Sequence, residues 1–397
     1  MQYQLYTYMK ILIKLVLIAF LFISCSTDKK PNSNFFNGVN KSEKKIAFNT
    51  IALDTVVFDP IESSYNGFFD IYKNEINFID QRFCWIFTFD KDGKIQSQNL
   101  GQGAGPNELD TGFIDAYKRL PNGKHLFMGS VFDVHIHDEN WEREKKFVMK
   151  WNLTKAGWEI NADNLDPDEQ RLYSPHYENF KIQTNSNNNV YFTVEANHIL
   201  FNKYYTKEYY DMSRIFADLD LESGKVKSVF GRKSREYLNY NYLGAYDTFD
   251  YVMDSKNQMY VNHPIDSLIY VYNDEHENIY TFGNAGKNMM TNYPEFNSQE
   301  IDGIMSIYQN KKPNTSYYTD VKHIEEKDIF FRSYHKPIAE GVDGLQIYKG
   351  NVLVADVDVP KGFKVAGYID PYFYSDAILE EDELTLKAYK FTLPNIE

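Results

Sequence analysis

The chain has 397 residues, a formal net charge of -14 and 43% hydrophobic residues. That is ample apolar material for a large core, and it excludes a disordered chain. The acidic balance argues against nucleic acid and anionic lipid as electrostatic partners, and the 32 Tyr and 29 Phe favour strands.

Residues 11–23 are apolar except for Lys14. The run is too short to span a bilayer, which takes ~20 residues. Lys10 precedes it, and Ser24 and Cys25 follow. A basic start, a short apolar core and a small residue before the cut make residues 1–24 a secretory signal, beginning at Met1 or at Met9. The Ser24-Cys25 step resembles the lipobox of bacterial lipoproteins, with Phe22 and Ile23 where Leu and Ala or Ser are usual. The resemblance implies that Cys25 becomes the lipidated first residue. With Ser26 in place of Asp, it also implies the outer membrane as the address. Residues 25–45, rich in Lys, Asn and Ser, read as a polar tether. Besides Cys25 only Cys84 remains, so no internal disulfide is expected and the fold stands on its core. Cys84, in a strand-like run, reads as a small buried hydrophobe.

From residue 46 onward, short strands alternate with turns, as in one propeller domain over 46–397. Residues 90–101 and 220–231 share a pattern that runs from Asp to Gly, and 273–283 repeats it one residue shorter. Such periodicity marks a repeat architecture. The first unit reads as strands at 68–72, 76–79, 84–89 and 94–99, with tight turns at Lys73-Asn74 and Lys91-Asp92-Gly93. A four-stranded meander of roughly 40 residues is one propeller blade. Further blades fall at 113–150, 178–231, 247–283, 317–358 and 364–395. A strand at 49–58 has no blade of its own and is expected to complete the last one, closing the ring. The fold class is all-β, a six-bladed β-propeller of four-stranded antiparallel blades, with five or seven as the neighbouring counts. Two short helical insertions are expected. One is capped by Asn297 with Glu300, and places Ile301, Ile304, Met305 and Tyr308 on one face. The other covers 164–172, with Asp166 as cap and Pro167 in its first position.

The string from Gly101 to Glu108, Gly-x-Gly-x-Gly-Pro-x-Glu, follows the first blade. It resembles the six-bladed β-propeller lipoproteins of Gram-negative bacteria, a largely uncharacterised family. The resemblance implies a fold and an envelope location, and brings no activity and no catalytic residues. The string itself matches neither a dinucleotide fingerprint nor a P-loop. It reads as a corner between blades whose glycines take positive φ.

Asp133, His135 and His137 alternate on one face of a strand. Alignment of the blades places His135 with Phe87 and Tyr270, and His137 with Phe89 and Tyr272, so packing is the better reading and no metal site is assigned. Asp90 opens a turn that lacks the distal Glu of a calcium loop, since Gly101 stands there. No hydrolase or zinc-protease signature is present.

In a four-stranded meander the second-to-third turn and the link to the next blade emerge at one end. That end collects Asp80, Arg82, Asn107, Glu108, His263, Asp266, His335 and Lys336, together with the insertion at 284–316. Converging loops commonly hold ligands. The expected function is therefore a monomeric, lipid-anchored binder of a peptide, glycan or envelope protein, with no cofactor and no catalysis. The alternative is a propeller lyase or hydrolase acting on a sugar or peptide, with Asp80, Glu108, Asp266 and His335 as its acid and base groups.

Overall fold

The computed structural model describes residues 35–153, 155–176, 178, 180–204, 206–296, 301–380 and 382–394. The signal, Cys25 and the capping pair Asn297 and Glu300 lie outside these residues.

Six antiparallel sheets form the ring. Blade one comprises Gly67–Tyr72, Glu75–Asp80, Trp85–Phe89 and Ile95–Leu100, paired in sequence order. Its two middle strands are almost wholly buried, because both of their faces meet a neighbouring blade. The outermost strand, Ile-Gln-Ser-Gln-Asn-Leu, is exposed along most of its length. This explains why only the outer strands read as polar. The later blades span Ile114–Arg119 to Arg143–Val148, Tyr173–Pro175 to Lys225–Phe230, Asp250–Met253 to Asn278–Phe282, Tyr317–Ile324 to Val352–Pro360, and Val365–Ile369 to Thr385–Phe391.

The Asp-to-Gly repeat has a local cause. Asp90 Oδ1 accepts from the backbone N–H groups of Asp92 and Lys94, both at 2.9 Å. Asp138 does the same for Asn140 and Glu142 at 2.8 and 2.9 Å. Asn273 accepts from Glu277 N at 2.8 Å, and Asp220 from Glu222 N at 3.1 Å. The repeat is therefore the chemistry of one hairpin turn, in which the first side chain replaces a missing backbone acceptor.

Blade three departs from the template. Its first strand is broken into Tyr173–Pro175 and Ile182–Thr184, and both pieces pair with the nine-residue strand Val190–His198. The helix expected at 164–172 shrinks to one turn, Gln170–Leu172, capped by Glu169. Asp166 instead accepts from Asp168 N in the preceding turn. The insertion before blade five holds the helix Ile301–Ser306, which widens into Ile307–Lys311.

The ring closes as expected. Asp54–Val57 pairs antiparallel with Thr385–Phe391, so the last blade contains strands from both ends of the propeller. Phe58 then packs against Phe69 and Phe89 of blade one, with ring centroids 4.7 and 5.0 Å away. Ahead of that strand, the last part of the expected tether is ordered against the ring. Val39–Asn40 adds in parallel to the outer strand of blade four, and Glu43–Lys44 to that of blade five. Those two outer strands are accordingly more buried than the outer strand of blade one.

Candidate functional site

The first strand of each blade lines the axis. Together with the adjoining links, all six blades enclose a cavity of about 550 Å³. Its wall is unusually ionic. It includes Asp70 of blade one, Asp115 and Lys118 of blade two, Lys181 beside blade three, Asp250 of blade four, Asp320 and Lys322 of blade five, and Lys364 and Asp376 of blade six.

Lys181 ties three blades. Its Nζ lies 2.6 Å from Asp250 Oδ1 and 3.8 Å from Asp320 Oδ1. Asp250 is further fixed by the backbone N–H of Tyr251 on Oδ1 and of Val321 on Oδ2, each at 2.8 Å. Asp250 thus takes the short contact with Lys181, while Asp320 shares what is left of the same ammonium. Burial and the neighbouring Asp250 charge outweigh Lys181 and push the Asp320 carboxyl up to about 7. Burial, and after it Asp133, also raises Asp115. Burial and then Lys322 hold the Lys118 amine down to about 8.

The sign of the Asp320 effect is testable. Its folded pKa lies above the ordinary 3.8, so the folded chain keeps a proton that the unfolded chain releases. That stabilisation is complete below about pH 4 and is lost as pH rises to about 7. The melting temperature of the natural chain should therefore fall across this window relative to Asp320→Asn. Parallel pH profiles for the two proteins would rule the shift out.

The eight loop residues chosen from topology occupy four separate turns, and none of them lines the channel cavity. Asp80 is fully buried. Its carboxylate accepts from Ser63 Oγ, Ser64 N and Oγ, Arg82 N and Phe83 N at 2.6 to 3.0 Å. Arg82 and Asn107 point to solvent. Glu108 Oε2 accepts from Gly105 N at 2.7 Å. A Cβ on Gly103 would stand 2.1 Å from that same oxygen. The glycine string is thus a cradle for its own Glu108, and of Gly101, Gly103 and Gly105 only Gly101 takes a positive φ. Asp266 accepts from Leu268 N and Tyr270 Oη at 2.9 and 2.7 Å. His263 is buried among Tyr237, Phe249 and Tyr270, and burial, with Lys233 and Arg332, lowers it to about 3. His335 and Lys336 share Asp343, through His335 Nδ1 at 3.4 Å and the Lys336 backbone N–H at 3.0 Å, and Lys336 Nζ pairs with Asp358 at 2.6 Å.

The strand histidines of blade two are packing groups. His135 Nε2 lies 2.6 Å from Asp133 Oδ2, and His137 meets Phe127 edge-on at 5.6 Å. Cys84 is fully buried, and burial, with Asp80 and Asp133, pushes its thiol up to about 12. Sequence reasoning passed over a further buried cluster beside blades three and four. There Lys233 meets Asp247, Tyr209 Oη donates to Asp247 Oδ2 at 2.5 Å, and Lys203 Nζ lies 3.1 Å from Glu195 Oε2. His176 stands 4.0 Å from Glu195. Ligand atoms of His176, Glu195 and Asp247 fall within 4.8 Å of one another, a spacing a metal ion could use. Two ammoniums already balance the two carboxylates, however, which makes the cluster an ion-pair network.

Fold and channel together define a six-bladed β-propeller with an ionic axial cavity. No model of a known protein family matches the chain, and no curated protein matches its sequence. Among solved structures it is similar to a member of the DUF4221 family from Bacteroides vulgatus. That protein shares 14% identity over 88% of this chain and 99% of its own, with a TM-score of 0.63. It is also similar to a protein of Bacteroides fragilis thought to be exported, at 12% identity over 90% and 99% of the two chains and a TM-score of 0.52. Identities this low speak for a shared fold alone. Among the described residues no helix is long and apolar enough to cross a membrane.

Proposed function

We propose that the chain is a binding protein of the bacterial cell envelope, held to the outer membrane by a lipid on Cys25, which takes a segment of a peptide or envelope protein into the link end of its channel without catalysis. The observation that carries this reading is the 550 Å³ axial cavity, to which every blade contributes. Its mixed ammonium and carboxylate wall suits a peptide bearing charges of both signs better than a neutral glycan, which stacks on open aromatic faces. The lipobox-like Ser24-Cys25 and the string from Gly101 to Glu108 support the envelope address.

A photoreactive residue at Phe180, on the cavity wall, tests the channel against one at Lys225, on an outer strand. Cross-links to a peptide or protein are expected from position 180 only, and identical adducts from both positions would reject the channel. Labelled palmitate should enter the chain in cells and be lost in Cys25→Ser. Labelling that survives the substitution would reject the anchor.

A lyase or hydrolase acting on a sugar or peptide is the second reading. It is favoured by Asp320, a carboxyl near neutrality inside the cavity, where a general base works best. Turnover of glycans or peptides that disappears in Asp320→Asn would support it, and a clean negative screen leaves binding.

A further inference from the structure

We infer that the axial channel holds an oxyanion, the carboxylate or phosphate of its ligand, between Lys118 and Lys322. This rests on the channel-binding reading and adds the chemistry that the ligand must present. Lys118 belongs to the first strand of blade two and Lys322 to that of blade five. In a ring of six these are opposite walls. Both side chains are half-buried and both line the cavity.

Several of the carboxylates around them have partners of their own, while Asp115 on the same wall forms no ion pair among the described residues. Asp70 stands 3.9 Å from Arg119, with its Oδ2 buried and without a hydrogen bond. Asp320 faces Lys181 at 3.8 Å. Asp376 accepts from Phe69 N and Ala377 N, each at 2.8 Å. Glu325 accepts from Ser255 N and Oγ at 2.5 to 3.0 Å. Among the described residues, neither Lys118 nor Lys322 has a carboxylate at ion-pair distance, whereas the half-buried Lys181 and the buried Lys203, Lys233 and Lys336 each do.

Two like charges in a partly desolvated wall repel each other and lower each other's proton affinity. Burial, and after it Lys322, holds Lys118 below the usual lysine range against the pull of Asp70, and burial, with Lys181, holds Lys322 down against the same carboxylate. An ammonium offers three donors and no acceptor. Two of them facing across a channel therefore select a group that only accepts and carries negative charge, and such charge-assisted bonds are the stronger class.

The test is calorimetric titration of the mature chain carrying Cys25→Ser with sodium phosphate and with sodium acetate, at pH 7 and against sodium chloride of equal ionic strength. One anion per chain is expected, and the tighter of the two tells phosphate from carboxylate. Lys118→Met and Lys322→Met should each weaken binding by about tenfold or more, while Lys225→Met on an outer strand leaves it unchanged. At pH 8 the intact chain should take up a fraction of a proton on binding, read from buffers of different ionisation enthalpy, because the anion raises the Lys118 pKa. That readout carries the test if either variant fails to fold. Heats no larger than chloride for both anions, or binding retained in both variants, would overturn the clamp. Position-180 cross-links that persist in that case would show that the channel reading survives without it.

Discussion

Replacing Arg332 with Ala is expected to remove about 3–5 kcal/mol of stability, among the larger losses for a single side chain in the ring. Arg332 is completely buried. Its guanidinium donates to Asn262 Oδ1 and to the backbone oxygens of Ser267 and Asp266 at 2.6 to 2.7 Å, and lies 3.2 Å from the centre of the Tyr318 ring. These acceptors sit at the end of one blade-four strand and in the turn that follows, while Arg332 belongs to the second strand of blade five. The side chain is therefore a pin between blades. Truncation strands three acceptors, two of them buried, and opens space under Tyr318, and both effects destabilise. Arg332→Lys should recover little, because one ammonium cannot satisfy three acceptors spread along a planar fork. Chemical denaturation followed by intrinsic fluorescence checks this, and a loss under about 1 kcal/mol, the worth of an ordinary hydrogen bond, would show that the pin is dispensable.

That pin was not legible from sequence, whereas the blades were, and the difference is one of range. The turn opened by Asp90 is bonded within four residues, so its chemistry is written in a contiguous string. The same device at Asp220 and Asn273 gave the period, and the period gave the ring. The strand at 49–58 was legible by elimination. The pairs at 39–40 and 43–44 were not, because two residues carry no periodicity, and these strands exist only because the outer edges of blades four and five are there to receive them.

The loop residues chosen from topology lie apart from the channel for a related reason. Topology correctly identified an end of the ring where links converge, but side chains such as Asp80 and Glu108 lie in tight links full of unpaired backbone N–H groups. A carboxylate there is captured by the nearest amides, two or three residues away, before any ligand can reach it. The channel charges stand in strands instead, where backbone partners are already taken. Their signal was present, as Asp70, Lys118, Asp250, Asp320 and Lys322 all fall in first strands. The pairing of Lys181 with Asp250 joins two blades, however, and leaves no mark on either segment alone.

Removing the residues before Asp59 is expected to unfold the ring, the second large effect. The strand Asp54–Val57 covers the edge of Thr385–Phe391, and Phe58 N extends the ladder to Leu386 O at 3.0 Å. Without it the last blade exposes a strand edge, and the seam between blades six and one loses Val56 and Phe58, which are 5% and 1% exposed. A propeller whose seam opens exposes apolar faces on two blades at once, so the damage is cooperative. Phe58→Ala isolates the packing share. It should cost about 3–5 kcal/mol, the usual range for a buried Phe truncated to Ala, and should leave the secondary structure intact below the transition. A synthetic peptide of residues 46–59 added to the truncated chain should restore a cooperative melt whose midpoint rises with peptide concentration, as mass action requires when a partner binds only the folded form. A truncated chain that melts like the full one, with or without the peptide, would mean that the seam holds by blade contacts alone and that the N-terminal strand merely decorates a closed ring.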